Sequence, residues 1–239
     1  MAQEQVEEYL ESIYDLETKD GSAKTTAIAK CLDVSPASVT ESLRNLSDKG
    51  LVKYEPYQGA ILTNEGRVIA EKIKRRHRLL EVFLTDVLKI NRSKVHSEAC
   101  KMEHTISDET ECALCKMLDA PSRCPHGSPI GPCDRVVGTC DECESALEKG
   151  NVPVPRAKKI MPITELGPDT KGKIAFIRGD CKVVQRLSDL GLTLGTSVSV
   201  LRKTPMNGPV EVSVRRTKLA IDHAIAENIF VEPPKAGGS

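Results

Sequence analysis

The chain has 239 residues, 34 basic against 34 acidic, with 39% hydrophobic and only 3% aromatic residues, enough for two or three packed domains. No run of about 18 apolar residues occurs, so no membrane-spanning helix is expected. The acidic start MAQEQVEEYLESIYDLE lacks the layout of a secretory leader, which points to the cytoplasm. Zero net charge does not exclude a nucleic-acid partner, because a local basic stretch suffices.

Val6, Leu10, Ile13 and Tyr14 recur at helical spacing and predict a first helix over about 4–18. After the polar turn KDGSAK, Ile28, Ala29 and Leu32 mark a second helix, in which Cys31 reads as a small buried apolar residue. Ser35 is suited to cap a third, with Pro36 at its first position, Val39, Leu43 and Leu46 on its buried face, and Gly50 at its end. LVKY and AILT are short strands around Gly59, a wing. Residues 1–72 therefore read as a winged helix-turn-helix DNA-binding domain.

One long helix follows over 64–88 and another over 92–107, the pattern of a helical dimerisation and metal-binding domain spanning 73–150. Its basic run KIKRRHR, at 72–78, is either a solvated helix face or a phosphate contact. The stretch 119–159, rich in Pro, Gly and Cys, reads as a linker or metal-tied insert. From Ile160 the pattern becomes KIAFIRG, TSVSVLRK, PVEVSVRR and NIFVEP, with turns at Gly191, Gly195 and Asn207-Gly208. That predicts a small β-barrel over 160–234 and a disordered tail. The fold class is mainly α with a β-barrel.

His96, Cys100, Glu103 and His104, at offsets 0, 4, 7 and 8, share one face of the 92–107 helix, and His77 and Glu81 are one turn apart on the long helix. Such groups are costly to bury unpaired. Mixed N, S and O donors suit a transition metal rather than Ca²⁺ or Mg²⁺. Six of the nine cysteines, Cys112, Cys115, Cys124, Cys133, Cys140 and Cys143, crowd the insert 112–143. Paired C-x2-C units favour a structural Zn(II) site. An Fe-S cluster, redox disulfides and free thiols stay open, and spacing does not select the ligands. His126 is a loop residue or a substitute ligand, and Cys181 has no evident partner.

The segment RRHRLLEVFLTDVLKINRSKVHSEACKMEHTISDE resembles the diphtheria-toxin-repressor family of metal-dependent regulators, over about residues 5–110. The resemblance implies a primary metal site from Glu8, Cys100, Glu103 and His104, with Glu11 as a further, manganese-type carboxylate. It implies an ancillary site from His77, Glu81 and His96, completed by Asp180. Thiolate and carboxylates together mix the family's iron and manganese patterns, and Fe(II) is preferred over Mn(II). QRLSDLGLTLGTSVSVLRKTPMNGPVEVSV resembles the SH3-like FeoA-type domain, which implies a surface for protein contacts. For DNA, the resemblance implies Ser35, Ala37, Ser38, Thr40 and Arg44 on the recognition helix, and Lys53, Tyr57 and Gln58 on the wing.

The expected function is a homodimeric repressor that binds double-stranded operator DNA when metal-loaded; the resemblance implies that it silences metal-uptake genes. Metal joining Glu8 to Cys100, Glu103 and His104 would bias the hinge between domains. An iron–sulfur redox regulator using the cysteine insert is one alternative, and a metal-transport accessory or buffering protein is another. No phosphate-cradling loop and no nucleophile with a base is evident, so an enzyme is not expected.

Overall fold

The computed structural model describes residues 2–133, 135–149, 160–179 and 181–233, and for 144, 147, 148 and 181 only the backbone. The chain forms two compact units, Met1–Ile106 with Arg123–Gly131, and Ser107–Ser122 with Pro132–Ser239. The expected 73–150 segment is thus shared between them, and the cysteine insert is divided.

In the first unit, helix α1 (Gln3–Asp20) buries Tyr9, Leu10 and Ile13 and stops where Gly21 turns left-handed. Helix α2 (Thr25–Leu32) precedes α3 (Pro36–Asp48), which starts as its sequence dictates: Ser35 accepts a bond from the Ser38 amide, with Pro36 next. Ile28, Val39, Leu43 and Leu46 meet Leu10 and Ile13 in a common core. Cys31 does not join it; it is exposed on α2, whose short buried face is taken by Ile28 and Ala29. Strands β1 (Val52–Glu55) and β2 (Gly59–Leu62) make the antiparallel wing, registered Val52↔Leu62. Gly59 has φ +104 and a Cβ there would come 2.6 Å from the Ala23 carbonyl oxygen, so glycine is required.

Helix α4 (Asn64–Val82) is capped by Thr63 and runs into a π-helical turn, Phe83–Val87. Helix α5 (Arg92–Met102), capped by Asn91, is shorter than expected. The turn bonds from Thr105 and Ile106 to the Met102 carbonyl close it, and Ser107 then caps a separate helix.

In the second unit that helix, α6 (Asp108–Met117), is followed by α7 (Cys140–Glu148), β3 (Met161–Pro162), β4 (Lys171–Ile177), α8 (Cys181–Asp189), β5 (Ser197–Lys203), β6 (Val210–Val214), β7 (Thr217–Ile221), α9 (His223–Ala226) and β8 (Ile229–Glu232). The strands form one six-stranded antiparallel sheet, ordered β3-β8-β4-β5-β6-β7, the SH3-like domain. It wraps Ile163, Ile174, Val198, Val200, Val212 and Val231. Strand β7 was not expected, because its hairpin turn carries no Gly or Asn: Arg215 (φ 45) and Arg216 (φ 76) take the two left-handed positions. The preceding hairpin, between β5 and β6, likewise turns at Met206 and Asn207 rather than at Asn207-Gly208. Asp180, the end of the linker and the tail from 234 lie outside the described residues. No helix among the described residues is long and apolar enough to cross a membrane.

Candidate metal centre

All the candidate switch ligands that are described lie in the first unit, on α1, α4, α5 and the loop 123–131. Three groups bring their ligand atoms within 4.8 Å of one another: His77, His96 and Cys100; Glu81, Cys124 and His126; and Glu11, Glu103 and His104.

The groups are linked. Glu81 Oε1 has three imidazole nitrogens around it, His126 Nδ1 at 3.0 Å, His77 Nε2 at 3.1 Å and His96 Nδ1 at 3.5 Å. The Cys100 sulfur lies 3.9 Å from His77 Nδ1 and 3.8 Å from His96 Nε2. His77 Nδ1 is 2.7 Å from Glu103 Oε2, and His104 Nε2 is 3.5 Å from Glu103 Oε1. His77, Glu81 and Glu103 are buried, at 3%, 3% and 2% exposure.

Burial lowers the His77 pKa, but the Cys100 sulfur and the Glu103 and Glu81 carboxylates overcome this and push it up to about 11. Burial raises Glu81, yet His77, Cys124 and His126 hold it at about 2. Glu103 is raised, chiefly by burial with Glu11 adding to it, against His77 and His104. Several buried acids, imidazoles and a thiol converging on one locus make a poor core and a fitting donor set for a divalent transition metal.

Of the expected primary ligands, only Glu103 and His104 come together; Cys100 lies instead with His77 and His96. Glu8 is exposed and stands outside the gathered groups, whereas Glu11 joins Glu103 and His104. Glu7, unforeseen, is buried with its carboxylate 2.9 Å from His104 Nδ1. The helical wheel carried this signal: Glu8 is two residues from Leu10, roughly 160° around the helix from the core stripe, while Glu7 and Glu11 share a face. Glu11 is also engaged by Lys74 at 3.2 Å, and Asp15 holds the same ammonium at 3.0 Å.

The expected ancillary residues His77, Glu81 and His96 are contiguous. Cys124 and His126 add a thiol and an imidazole to Glu81, in place of any reading of His126 as an idle loop residue. Their loop is a tight turn: the Cys124 amide donates to the Ser128 carbonyl at 2.9 Å, the Gly127 amide donates to the Cys124 carbonyl at 2.8 Å, and Gly127 has φ +84. Arg75 donates to the Gly131 carbonyl at 2.6 Å and Arg78 to that of Pro129 at 2.5 Å. The basic run 72–78 is therefore not a freely solvated face along its length. Arg75 and Arg76 are buried, and Lys74 pairs with α1.

Ser35, Ala37, Ser38 and Arg44 on α3, and Lys53, Tyr57 and Gln58 on the wing, are exposed; Thr40 is half-buried, its hydroxyl donating to the Pro36 carbonyl at 2.9 Å. The exposed N-terminal end of a capped helix beside a two-stranded wing presents backbone amides and small side chains, the form of a major-groove reader.

A winged helix-turn-helix joined to helices lined with metal ligands defines the class: a metal-responsive DNA-binding regulator. The sequence matches the iron dependent repressor N-terminal DNA binding domain over residues 1–60, the iron dependent repressor metal binding and dimerisation domain over 63–132, and the FeoA domain over 161–233. It is 30% identical over 231 residues to the diphtheria toxin repressor of Corynebacterium glutamicum, covering 95% of each chain. It is also 30% identical to the iron-dependent repressor IdeR of Mycobacterium tuberculosis, over 95% of this chain and 96% of that one. A solved manganese-dependent transcriptional repressor, in complex with manganese, matches with TM-score 0.51 and 25% identity, over 96% of this chain and all of that one. The chain belongs to the diphtheria-toxin-repressor family of iron-dependent repressors, a family of DNA-binding regulators rather than enzymes.

Proposed function

We propose that this chain is a cytoplasmic, homodimeric repressor that grips operator DNA when loaded with a divalent metal, Fe(II) in preference to Mn(II), and so controls metal uptake. The observation that carries the reading is the meeting of Glu11 on α1 with Glu103 and His104 at the end of α5. Helix α1 packs in the same core as the recognition helix α3, so a ligand on α1 ties the DNA-reading elements to the metal-binding helices.

The primary site is formed by Glu11, Glu103 and His104, with Cys100 in reach of the neighbouring group and Glu7 orienting His104. The ancillary site is formed by Glu81, His77 and His96 with Cys124 and His126. A bound divalent ion supplies the positive charge that a buried carboxylate, Glu103, and a half-buried one, Glu11, need in order to share one locus. Glu7 holds His104 in a fixed orientation, as partners of metal-binding imidazoles do. Thiols at Cys100 and Cys124 favour Fe(II), while the oxygen-rich Glu11 group tolerates Mn(II). Ser35, Ala37, Ser38, Thr40 and Arg44, with Lys53, Tyr57 and Gln58, form the DNA face. The SH3-like domain serves protein contacts.

The test is fluorescence anisotropy with a duplex selected from a random library in the presence of Fe(II). Affinity should rise on adding Fe(II) or Mn(II) and fall back in chelator, and His104→Ala should abolish the gain. Equal affinity in chelator and in metal would sink the reading.

A further inference from the structure

Five of the six insert cysteines, Cys112, Cys115, Cys133, Cys140 and Cys143, belong to the second unit, separate from the switch ligands. Cys112 and Cys115 sit one turn apart on α6; Cys140 and Cys143 sit one turn apart at the start of α7. Cys143 lies between two others, within hydrogen-bond reach of both Cys112 and Cys133. Cys140 neighbours Cys115 and Cys133, and the Gly179 amide donates to its sulfur. Burial raises the Cys140 thiol despite the Gly179 amide at its sulfur, and the Cys112 and Cys133 thiols raise Cys143, so an incoming metal ion must displace their protons.

The surroundings include both apolar and cationic side chains. Cys133, Cys140 and Cys143 pack on Val137, Ile160, Phe176 and Phe230. Arg135, 1% exposed, lies beside Cys112, and Arg178, 7% exposed, lies beside Cys140. Arg135 also pairs with Asp108 at 3.0 Å. Four thiolates on a divalent ion carry a net charge of about −2, which neighbouring guanidinium groups favour.

We propose that Cys112, Cys133 and Cys143, with a fourth thiolate from the C-x2-C partners Cys115 and Cys140, hold a structural zinc ion in the second unit. The spacing favours zinc over a [4Fe–4S] cluster: sulfurs in hydrogen-bond contact are the arrangement of ligands sharing one ion at about 2.3 Å, whereas a [4Fe–4S] cluster sets each cysteine sulfur on its own iron, farther apart. The site has a mechanical task. The chain leaves this unit at Ser122, gives Arg123–Gly131 with Cys124 and His126 to the first unit, and returns at Pro132. Thiols flank that excursion on both sides. The return strand is pinned by the Ile177 amide donating to the Gly138 carbonyl at 2.8 Å. Zinc binding then fastens both ends of the ligand-bearing loop, and in so small an apolar cluster it supplies folding free energy directly.

The test uses the full chain, purified anaerobically with reductant, dialysed against EDTA and analysed for zinc and acid-labile sulfide. A zinc ion per chain should survive dialysis. It should be lost in Cys112→Ser, Cys133→Ser and Cys143→Ser, and kept in Cys31→Ser and Cys124→Ser. Whichever of Cys115→Ser and Cys140→Ser also loses it names the fourth ligand. Should the variants not fold, X-ray absorption of the unaltered zinc protein decides, with four sulfur neighbours at about 2.3 Å expected. Labile sulfide with iron in place of zinc, zinc that depends on Cys124 instead, a mixed N/O shell, or no retained zinc each overturns the proposal. No readout involves DNA, so the outcome is separate from that of the repressor reading.

Discussion

His77 Nδ1 stands 2.7 Å from Glu103 Oε2, and this contact turns three ligand groups into one continuous chain. It runs from Glu81 through His77 and Glu103 to His104 and on to Glu7 of α1, where the last contact is 2.9 Å. Loading of the groups on α4 and α5 is therefore expected to be coupled to the group that includes α1, since each group contacts the next.

Glu103→Gln tests that coupling. The amide keeps size and shape but cannot carry the charge facing His77 and His104. Metal-activated DNA affinity is expected to drop by about ten- to a hundredfold, the range for losing a residue that ligates or orients a ligand. Titration of metal should show weakened uptake at the His77 group as well as at the His104 group. A loss confined to the latter would contradict the coupling.

Glu11→Gln and Glu8→Gln separate two readings of α1. Glu11 lies with Glu103 and His104, while Glu8 points to solvent. The Glu11 variant should require at least about tenfold more Fe(II) or Mn(II) for half-maximal DNA binding. Glu8→Gln should match the unaltered chain in metal titration and in Tm. The reverse pattern in anisotropy would restore Glu8 as the ligand.

This pair also marks how far sequence reaches. The winged helix was legible because local rules agree there: Ser35 and Pro36 start α3, the Leu43 and Leu46 stripe faces inward, and Gly59 permits a close backbone approach. The pairs His77 with Glu81 and His96 with Cys100 were legible because helical periodicity brings residues one turn apart together, while the meeting of the two pairs depends on the packing of α4 on α5. The Cys124 and His126 contribution was not, because it depends on where a loop without periodicity is tethered. That tether comes from Arg75 and Arg78, whose bonds to loop carbonyls no pattern of charge announces. Strand β7 escaped for a similar reason, as two arginines occupy a turn that composition assigns to Asn and Gly.

Arg75→Met measures the tether itself. The side chain is 4% exposed and donates to the Gly131 carbonyl at 2.6 Å. Its removal leaves a carbonyl without that donor, at a cost of about 1–3 kcal/mol in urea unfolding of the metal-free chain. Proteolysis should accelerate within 123–131, and metal should partly restore protection by recruiting Cys124 and His126 to Glu81. A variant as stable and as protease-resistant as the parent would show that the loop is held by other contacts.

Cys124→Ser and His126→Ala bear on the ancillary group. Glu81, His77 and His96 remain in both, so metal should still bind, about ten- to a hundredfold more weakly. With its thiol gone, Cys124→Ser should shift preference from Fe(II) toward Mn(II), because oxygen is the harder donor. Competition of the two metals for DNA-binding activation reads this ratio. An unchanged ratio would remove Cys124 from the ligand set.

The pH dependence has a definite sign. In the metal-free chain His77 is raised from 6.5 to about 11 by Cys100, Glu103 and Glu81, against the opposing effect of burial. A raised folded value means that its stabilisation is fully present below about pH 6.5 and is lost as pH climbs toward 11. Metal requires the same nitrogen unprotonated, so ligation must expel the proton, and metal affinity gains about tenfold per pH unit for each proton released. From pH 6.5 upward, the Tm of the metal-free chain should therefore fall through this term while the Mn(II)-induced increase in Tm grows. Calorimetric Mn(II) titrations in two buffers of different ionisation enthalpy count the protons directly. Heats that do not depend on the buffer near neutral pH would mean that His77 is already neutral, and that the Glu103 contact does not charge it.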